Sequence, residues 1–190
     1  MKQLKIGLDF DGVIANTQRT KLEIAAQQFG KYVDMRDCNR SGFIKAGFTE
    51  KQYEKFQKIV YGTYDIRPVQ GCLTHLRKLI EQEHEISITS YRLHKGYEII
   101  ENFLINNRLD IPMDNVICTN NLPKSKFISS LDVFVDDRTE HLNDLRNNAT
   151  KLILFDRPYN REEKETDGIE RVCGGWKKVY REIRRSALNP

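Results

Sequence analysis

Apolar and polar positions along the chain follow two rhythms that take turns. In the opening stretch "IGLDFDGVIAN", Ile6 to Asn16, apolar residues alternate as in a short strand. From Gly71 onward the alternation of elements becomes regular. "CLTHLRKLIEQ" carries Leu73, Leu76, Leu79 and Ile80 at helical spacing, and "HEISITS" follows as a β-rich run. "KGYEIIENFLINN" then places Ile99, Ile100, Phe103 and Leu104 on one side of a second helix before the strand "NVICT". "KSKFISS" leads into "LDVFVDD", apolar on both faces as a central parallel strand should be, and "EHLNDLRNN" leads into "TKLILF". Strands alternating with helices of about ten residues predict an α/β fold, a Rossmann-like, doubly wound parallel sheet with right-handed crossovers.

The rhythm breaks between Ala15 and Arg67. That segment reads as helix, polar loop and helix, "TQRTKLEIAAQQFG" and then "FTEKQYEKFQKIVYG", with Gly30 and Gly62 as stops. A helical insertion directly after the first strand predicts a small cap over the carboxyl edge of the sheet. The expected organisation is therefore a core of residues 1–15 and 68–190 with a helical cap at 16–67. After Phe155 the chain reads as polar and turn-rich up to a last helix around Trp176.

Composition adjusts this picture only slightly. A chain of 190 residues supports one core with a small decoration, and 39% hydrophobic with 31% charged residues is the mixture of a folded protein. The formal charge of +4 is spread along the chain. The basic "WKKVYREIRR" reads as the solvated face of the last helix, so nucleic acid is not expected as a partner. Cys38, Cys72, Cys118 and Cys173 lie far apart without metal-ligand spacing, which suits buried free thiols in a reducing compartment. With neither a leader nor a membrane-length apolar run, the expected location is the cytoplasm, with no membrane partner.

The chemistry is sought at the carboxyl ends of the strands, where parallel sheets form their ligand crevice. The first strand delivers Asp9 and Asp11, the second Thr89 and Ser90, and the fourth Asp136 and Asp137; Lys126 lies ten residues before that last pair. Carboxylates gathered at one crevice repel each other unless a cation neutralises them, which predicts Mg²⁺ as cofactor, held at Asp9, Asp11, Asp136 and Asp137 together with a substrate phosphate. Asp9 is then placed as a nucleophile on phosphorus and Asp11 as the acid and base for the leaving oxygen and the hydrolytic water. Thr89 and Lys126 would stabilise the transferring group, with Ser90 and Arg92 added as substrate-binding candidates. Lys124 competes with Lys126 for this place, and the spacing from Asp136 favours Lys126. Gly12 permits the tight turn by which the chain leaves the first strand.

Taken in order, "DFDGV", "ITS" with Thr89 at its centre, Lys126 and "FVDD" match four motifs, and the chain resembles the haloacid dehalogenase superfamily of phosphotransferases from Leu4 to about Phe155. A calcium loop also starts with spaced Asp residues, but "DFDGVIANTQRT" lacks its further ligands and closing Glu. Within the superfamily, the cap position, "TSYR", "DDRTEHL" and "LFDRPYNR" look like the 5'(3')-deoxyribonucleotidases. The resemblance implies a Mg²⁺-dependent phosphomonoesterase working through an aspartyl-phosphate. Its substrate would be a small phosphorylated molecule, a (deoxy)nucleoside monophosphate first, with sugar phosphates or nucleic-acid phosphate ends as alternatives and a non-catalytic phosphate-binding protein as the remaining one. A homodimer stays open. Phe29, Phe43, Phe48 and Tyr64 could either stack on a base or pack the cap, and His75, His84, His94 and His141 read as ordinary surface residues.

Overall fold

The computed structural model describes residues 2–93, 95–164 and 166–188. Strand β1 (Lys5–Asp9) is followed by three helices, α1 (Thr17–Phe29), α2 (Arg40–Lys45) and α3 (Glu50–Gly62). The alternation then resumes as α4 (Cys72–Glu81), β2 (Glu85–Ser90), α5 (Lys95–Asn106), β3 (Val116–Cys118), β4 (Leu131–Asp136), α6 (Thr139–Asp144), β5 (Ala149–Phe155), β6 (Ile169–Val172) and α7 (Trp176–Leu188). The six strands form one sheet in the order β3-β2-β1-β4-β5-β6, and every pairing is parallel. The α/β, Rossmann-like reading therefore holds.

The sheet is covered on both faces. Val133 and Val135 of β4 join Leu4, Ile6, Leu8 and Trp176 in one cluster, while the intervening Phe134 packs with Leu142, Leu145, Leu152 and Leu154 in another. Period-two geometry sends successive side chains to opposite faces, so a strand buried on both must be apolar throughout. Two elements depart from the sequence reading. β6 lies within the stretch expected to be only turns, because Ile169 to Val172 pair with Leu152 to Phe155 at the sheet's edge. "KSKFISS" forms no helix; it makes a single 3₁₀ turn at Lys124–Lys126.

The helices between Asn16 and Gly62 pack around their own cluster of Ile24, Ala25, Cys38, Phe43, Phe48, Phe56 and Val60. α1 starts where the Asn16 side chain accepts from the Arg19 amide, and α3 starts in a capping box between Thr49 and Gln52. Short α2 occupies what reads from the sequence as polar loop. The two connections to the sheet run side by side, with Asn16 N donating to Arg67 O at 2.7 Å and Val69 N to Ile14 O at 2.8 Å. Phe29, Phe43 and Phe48 pack on one another and on Phe56, and exposed Tyr64 donates to Glu98 at 2.9 Å. None of these five aromatic side chains lines the crevice described below.

Candidate active site

Register places the first two carboxylates. Leu8 of β1 faces Val135 of β4, so the next residues, Asp9 and Asp136, end neighbouring strands side by side; across β1, Asp9 faces Thr89 of β2. The chain then turns sharply at Gly12, whose φ of 94° belongs to the left-handed region. A Cβ at this position would collide with the Asp137 carboxylate and with the Tyr159 hydroxyl. Glycine is needed here both for the turn and for this close approach.

Lys124 stands between the two strand-end carboxylates. Its fully buried Nζ donates to Asp9 Oδ1 at 2.5 Å and to Asp136 Oδ2 at 2.6 Å. Lys126, expected in this place, is exposed on the other side of the same turn. The reason is local: Ser125 is pinned by Asp144 of α6, through its amide at 3.0 Å and its hydroxyl at 2.7 Å, and this orientation turns Lys124 inward. Lys124, and not the expected Lys126, is therefore the lysine that meets the strand-end carboxylates.

Asp11 is held differently. It accepts from Thr17 Oγ1 at 2.5 Å, from Ser90 Oγ at 3.2 Å, and from Arg92 through Nε at 3.0 Å and Nη2 at 2.8 Å. The third guanidinium nitrogen of Arg92 donates to Tyr61 O, in the last turn of α3, at 3.0 Å. Both Ser90 and Arg92, expected to hold substrate, are directed at Asp11 in this arrangement. Thr89 Oγ1 is buried and has no hydrogen-bond partner, which leaves a donor available beside Asp9.

The electrostatics follow from burial and pairing. Burial pushes the Asp9 carboxyl well above the usual carboxylate range, with Lys124 opposing and Asp136 and Asp137 adding to the rise. Burial likewise pushes Asp137 up to about 8, reinforced by the charge of Asp136. Burial would raise Asp136 too, but Lys124 and His141 outweigh it and hold that carboxyl below its ordinary value. Asp11 is also lowered, because the charge and hydrogen bonds of Arg92 outweigh its desolvation. One buried ammonium is shared by two carboxylates while a third accepts from the Tyr159 hydroxyl. The surplus of buried negative charge on hard oxygen donors fits a small divalent cation such as Mg²⁺.

His141 belongs to this site, although it reads from the sequence as a surface residue. Its Nδ1 lies 3.1 Å from Asp136 Oδ1, its ring stacks on Tyr91 with centroids 4.4 Å apart, and one of its nitrogens lies within 4.8 Å of oxygens of Asp9 and Asp136. Of the other histidines, His84 is buried, His75 is half-buried, and His94 lies outside the described residues. Above the carboxylates opens a cavity of about 700 Å³, walled by Tyr53, Gln57 and Tyr61 of α3, Thr17 and Lys21 of α1, and Tyr91, Arg138 and Tyr159. The spacing of 53, 57 and 61 on one stripe of α3 was the signal for this wall.

The family model for "5' nucleotidase, deoxy (Pyrimidine), cytosolic type C protein" matches residues 2–188. The chain belongs to this family. It is accordingly a phosphoric monoester hydrolase of the haloacid dehalogenase superfamily, as its four motifs suggested. No curated protein sequence matches it. Solved structures of similar fold include a haloacid-dehalogenase-superfamily hydrolase from Ehrlichia chaffeensis, 15% identical, covering 98% of each chain with a TM-score of 0.58. YfnB of Bacillus subtilis, described as bound to magnesium, is 9% identical over 96% of this chain and 100% of its own, with a TM-score of 0.60. A β-phosphoglucomutase from Clostridium difficile is 13% identical over 98% of both chains, with a TM-score of 0.53. At such identities these structures share the fold with this nucleotidase-family member and establish nothing finer.

Proposed function

We propose that the protein hydrolyses nucleoside monophosphates, deoxynucleotides first, by way of an aspartyl-phosphate on Asp9. The observation that carries this reading is the meeting of Asp9 and Asp136 around one buried lysine, beside the unpartnered hydroxyl of Thr89. A phosphate seated there would accept from Thr89 and Lys124, which offset charge on the transferring group. Mg²⁺ would be held by Asp9 and Asp136, with Asp137 and the main chain of Asp11 beside it, and would supply charge neutralisation for phosphate and carboxylates alike.

Asp9 attacks phosphorus as the ester bond to the leaving oxygen breaks. In the second half, water attacks the phosphorus of the aspartyl-phosphate, and inorganic phosphate leaves with the Asp9 carboxylate restored. Asp11, held ionised by Arg92, is in the form that takes the proton from that water. Protonating the leaving oxygen in the first half requires Asp11 to carry a proton, and hence to loosen from the guanidinium.

Residues 16–67 would act as a cap, bringing Tyr53 and Tyr61 over the phosphate site and excluding bulk water. These two tyrosines, rather than the phenylalanines of the inner cluster, are the surfaces available to a base. The family description supports a cytosolic enzyme acting on nucleotides.

The test is phosphate release from a panel of ribo- and deoxyribonucleoside monophosphates and sugar phosphates, with Mg²⁺ and with EDTA. A metal-dependent preference for deoxynucleotides is expected, with Asp9→Asn inactive yet folded. Better turnover of sugar phosphates would discard the nucleotide reading, and an active Asp9→Asn variant would discard the nucleophile.

A further inference from the structure

Lys21 has no place in the chemistry described so far. It sits on α1 one turn after Thr17, and that spacing puts both on the face directed at the cavity, Thr17 bonded to Asp11 and Lys21 further up the wall. Its Nζ lies 5.4 Å from the centroid of the Tyr61 ring. None of the ion pairs among the described residues involves it. Burial opposes its charge, but the Tyr61 and Cys38 side chains and the carboxylate of Asp11 outweigh that and raise its pKa.

The charges around it make this cation informative. Asp9 is taken by Lys124, and Asp11 by Arg92. Among the remaining charged groups on the cavity wall, Arg40 and Arg138 pair with Glu50 and Glu140, while Lys21, Lys58 and Lys95 are left with a single wall carboxylate, Asp137, which is already bonded to Tyr159. A neutral leaving group would put an uncharged surface against Lys21 and leave its half-buried ammonium with only the Tyr61 and Cys38 side chains and the Asp11 carboxylate, itself paired with Arg92, to offset its charge. An anionic one would pair with it.

We infer that Lys21 receives a second anionic group carried on the leaving side of the substrate, so that the enzyme favours nucleotides bearing a further phosphate over simple monophosphates. This rests on the nucleotide reading of the same site. Lys21 acts on the choice of substrate and takes no part in the chemistry at phosphorus. Because it stands on α1, the anion would also tie the substrate to the helical segment.

The experiment compares kcat/KM for a deoxynucleoside 5'-monophosphate with that for the matching 3',5'-bisphosphate, released phosphate being assigned to its position by identifying the first product of the bisphosphate as the 3'- or the 5'-monophosphate. The unmodified enzyme should favour removal of the 5'-phosphate from the bisphosphate by tenfold or more. Lys21→Met should bring the ratio to about one, and Lys21→Arg should restore most of it. The ratio is internal to each protein preparation, so partial unfolding of a variant does not move it. A ratio near one in the unmodified enzyme, or one that survives Lys21→Met, would overturn the inference while leaving the nucleotidase reading intact. If neither nucleotide is hydrolysed while other phosphomonoesters are, the nucleotide reading falls and this inference with it.

Discussion

Arg92 grips Asp11 through two guanidinium nitrogens, at 3.0 and 2.8 Å, and with its third nitrogen holds the carbonyl of Tyr61 at the end of α3. The guanidinium lies between the rings of Phe10 and Tyr61, 5.4 and 5.2 Å from their centroids. One side chain therefore links the acid and base of the proposed reaction to the helical segment above it. Gly96 allows this packing, since a Cβ there would meet the Arg92 side chain and the Cys118 sulfur.

Removing that link should be costly. Arg92→Leu leaves Asp11 with only Thr17 and Ser90 and strands the Tyr61 carbonyl. Breaking a buried ion pair costs about 3 kcal/mol at the lower end of the usual range, which is the appropriate end because Asp11 is 21% exposed. Urea denaturation should register a loss of that order, together with a fall of at least tenfold in kcat. Arg92→Lys should recover part of the stability and little of the rate, because a lysine cannot hold both carboxylate oxygens and the carbonyl at once. Unchanged stability in Arg92→Leu would mean the pair contributes nothing.

Exchanging the two lysines of one turn separates the structural assignment from the sequence-based one. Lys124→Met removes the cation shared by Asp9 and Asp136, and phosphate release should fall by about a hundredfold or more, the scale of losing one preorganised charge contact. Lys126→Met alters an exposed side chain and should stay within about twofold of the parent rate. The reverse outcome would return the role to Lys126.

The difference between those lysines shows where sequence reasoning runs out. The strand-end carboxylates were legible because period-two burial and parallel register leave few other places for Asp9, Asp11, Asp136 and Asp137. Lys124 was not, since which side of a short turn faces inward depends on Ser125 meeting Asp144, a contact between segments remote in sequence. His141 was missed for a related reason: α6 carries it at one end of the face that also bears Asp144, and only packing brings that face to Asp136 and to the Ser125 turn. The strand β6 was hidden because an edge strand buried on fewer sides needs no continuous apolar run. In the helical segment, apolar character alone did not tell the inner phenylalanines from the tyrosines that face the cavity.

Tyr159 donates its hydroxyl to Asp137, and both crowd against Gly12. Tyr159→Phe should leave the fold intact and raise the Mg²⁺ concentration for half-maximal activity by about tenfold or more, the usual consequence of losing a partner that orients a metal-site carboxylate. Gly12→Ala should do worse, because it adds strain at φ 94° of about 1–3 kcal/mol and displaces Asp137 and Tyr159 together. A magnesium titration of Tyr159→Phe that superimposes on the parent's would remove Tyr159 from the metal site.

His84 gives a dependence on pH that is independent of catalysis. It is buried immediately before β2, where Nδ1 accepts from Leu4 N at 3.2 Å and Nε2 has no partner. Burial, the largest influence, lowers its pKa from the ordinary 6.5. In the unfolded chain the ring takes up a proton as pH falls through 6.5, while in the folded protein it stays neutral to a lower pH. Between those two points the unfolded state binds more protons, so its contribution to stability is fully present above pH 6.5 and is lost as pH falls through this window. His84→Gln keeps an acceptor for the Leu4 amide and removes the titration. Urea midpoints measured from pH 7.5 down to about 5.5 should therefore decline less steeply in the variant than in the parent, with the difference appearing only below about pH 6.5. Parallel declines in the two proteins would mean that His84 titrates alike folded and unfolded, and that the neutral ring is not what ties β2 to the chain preceding β1.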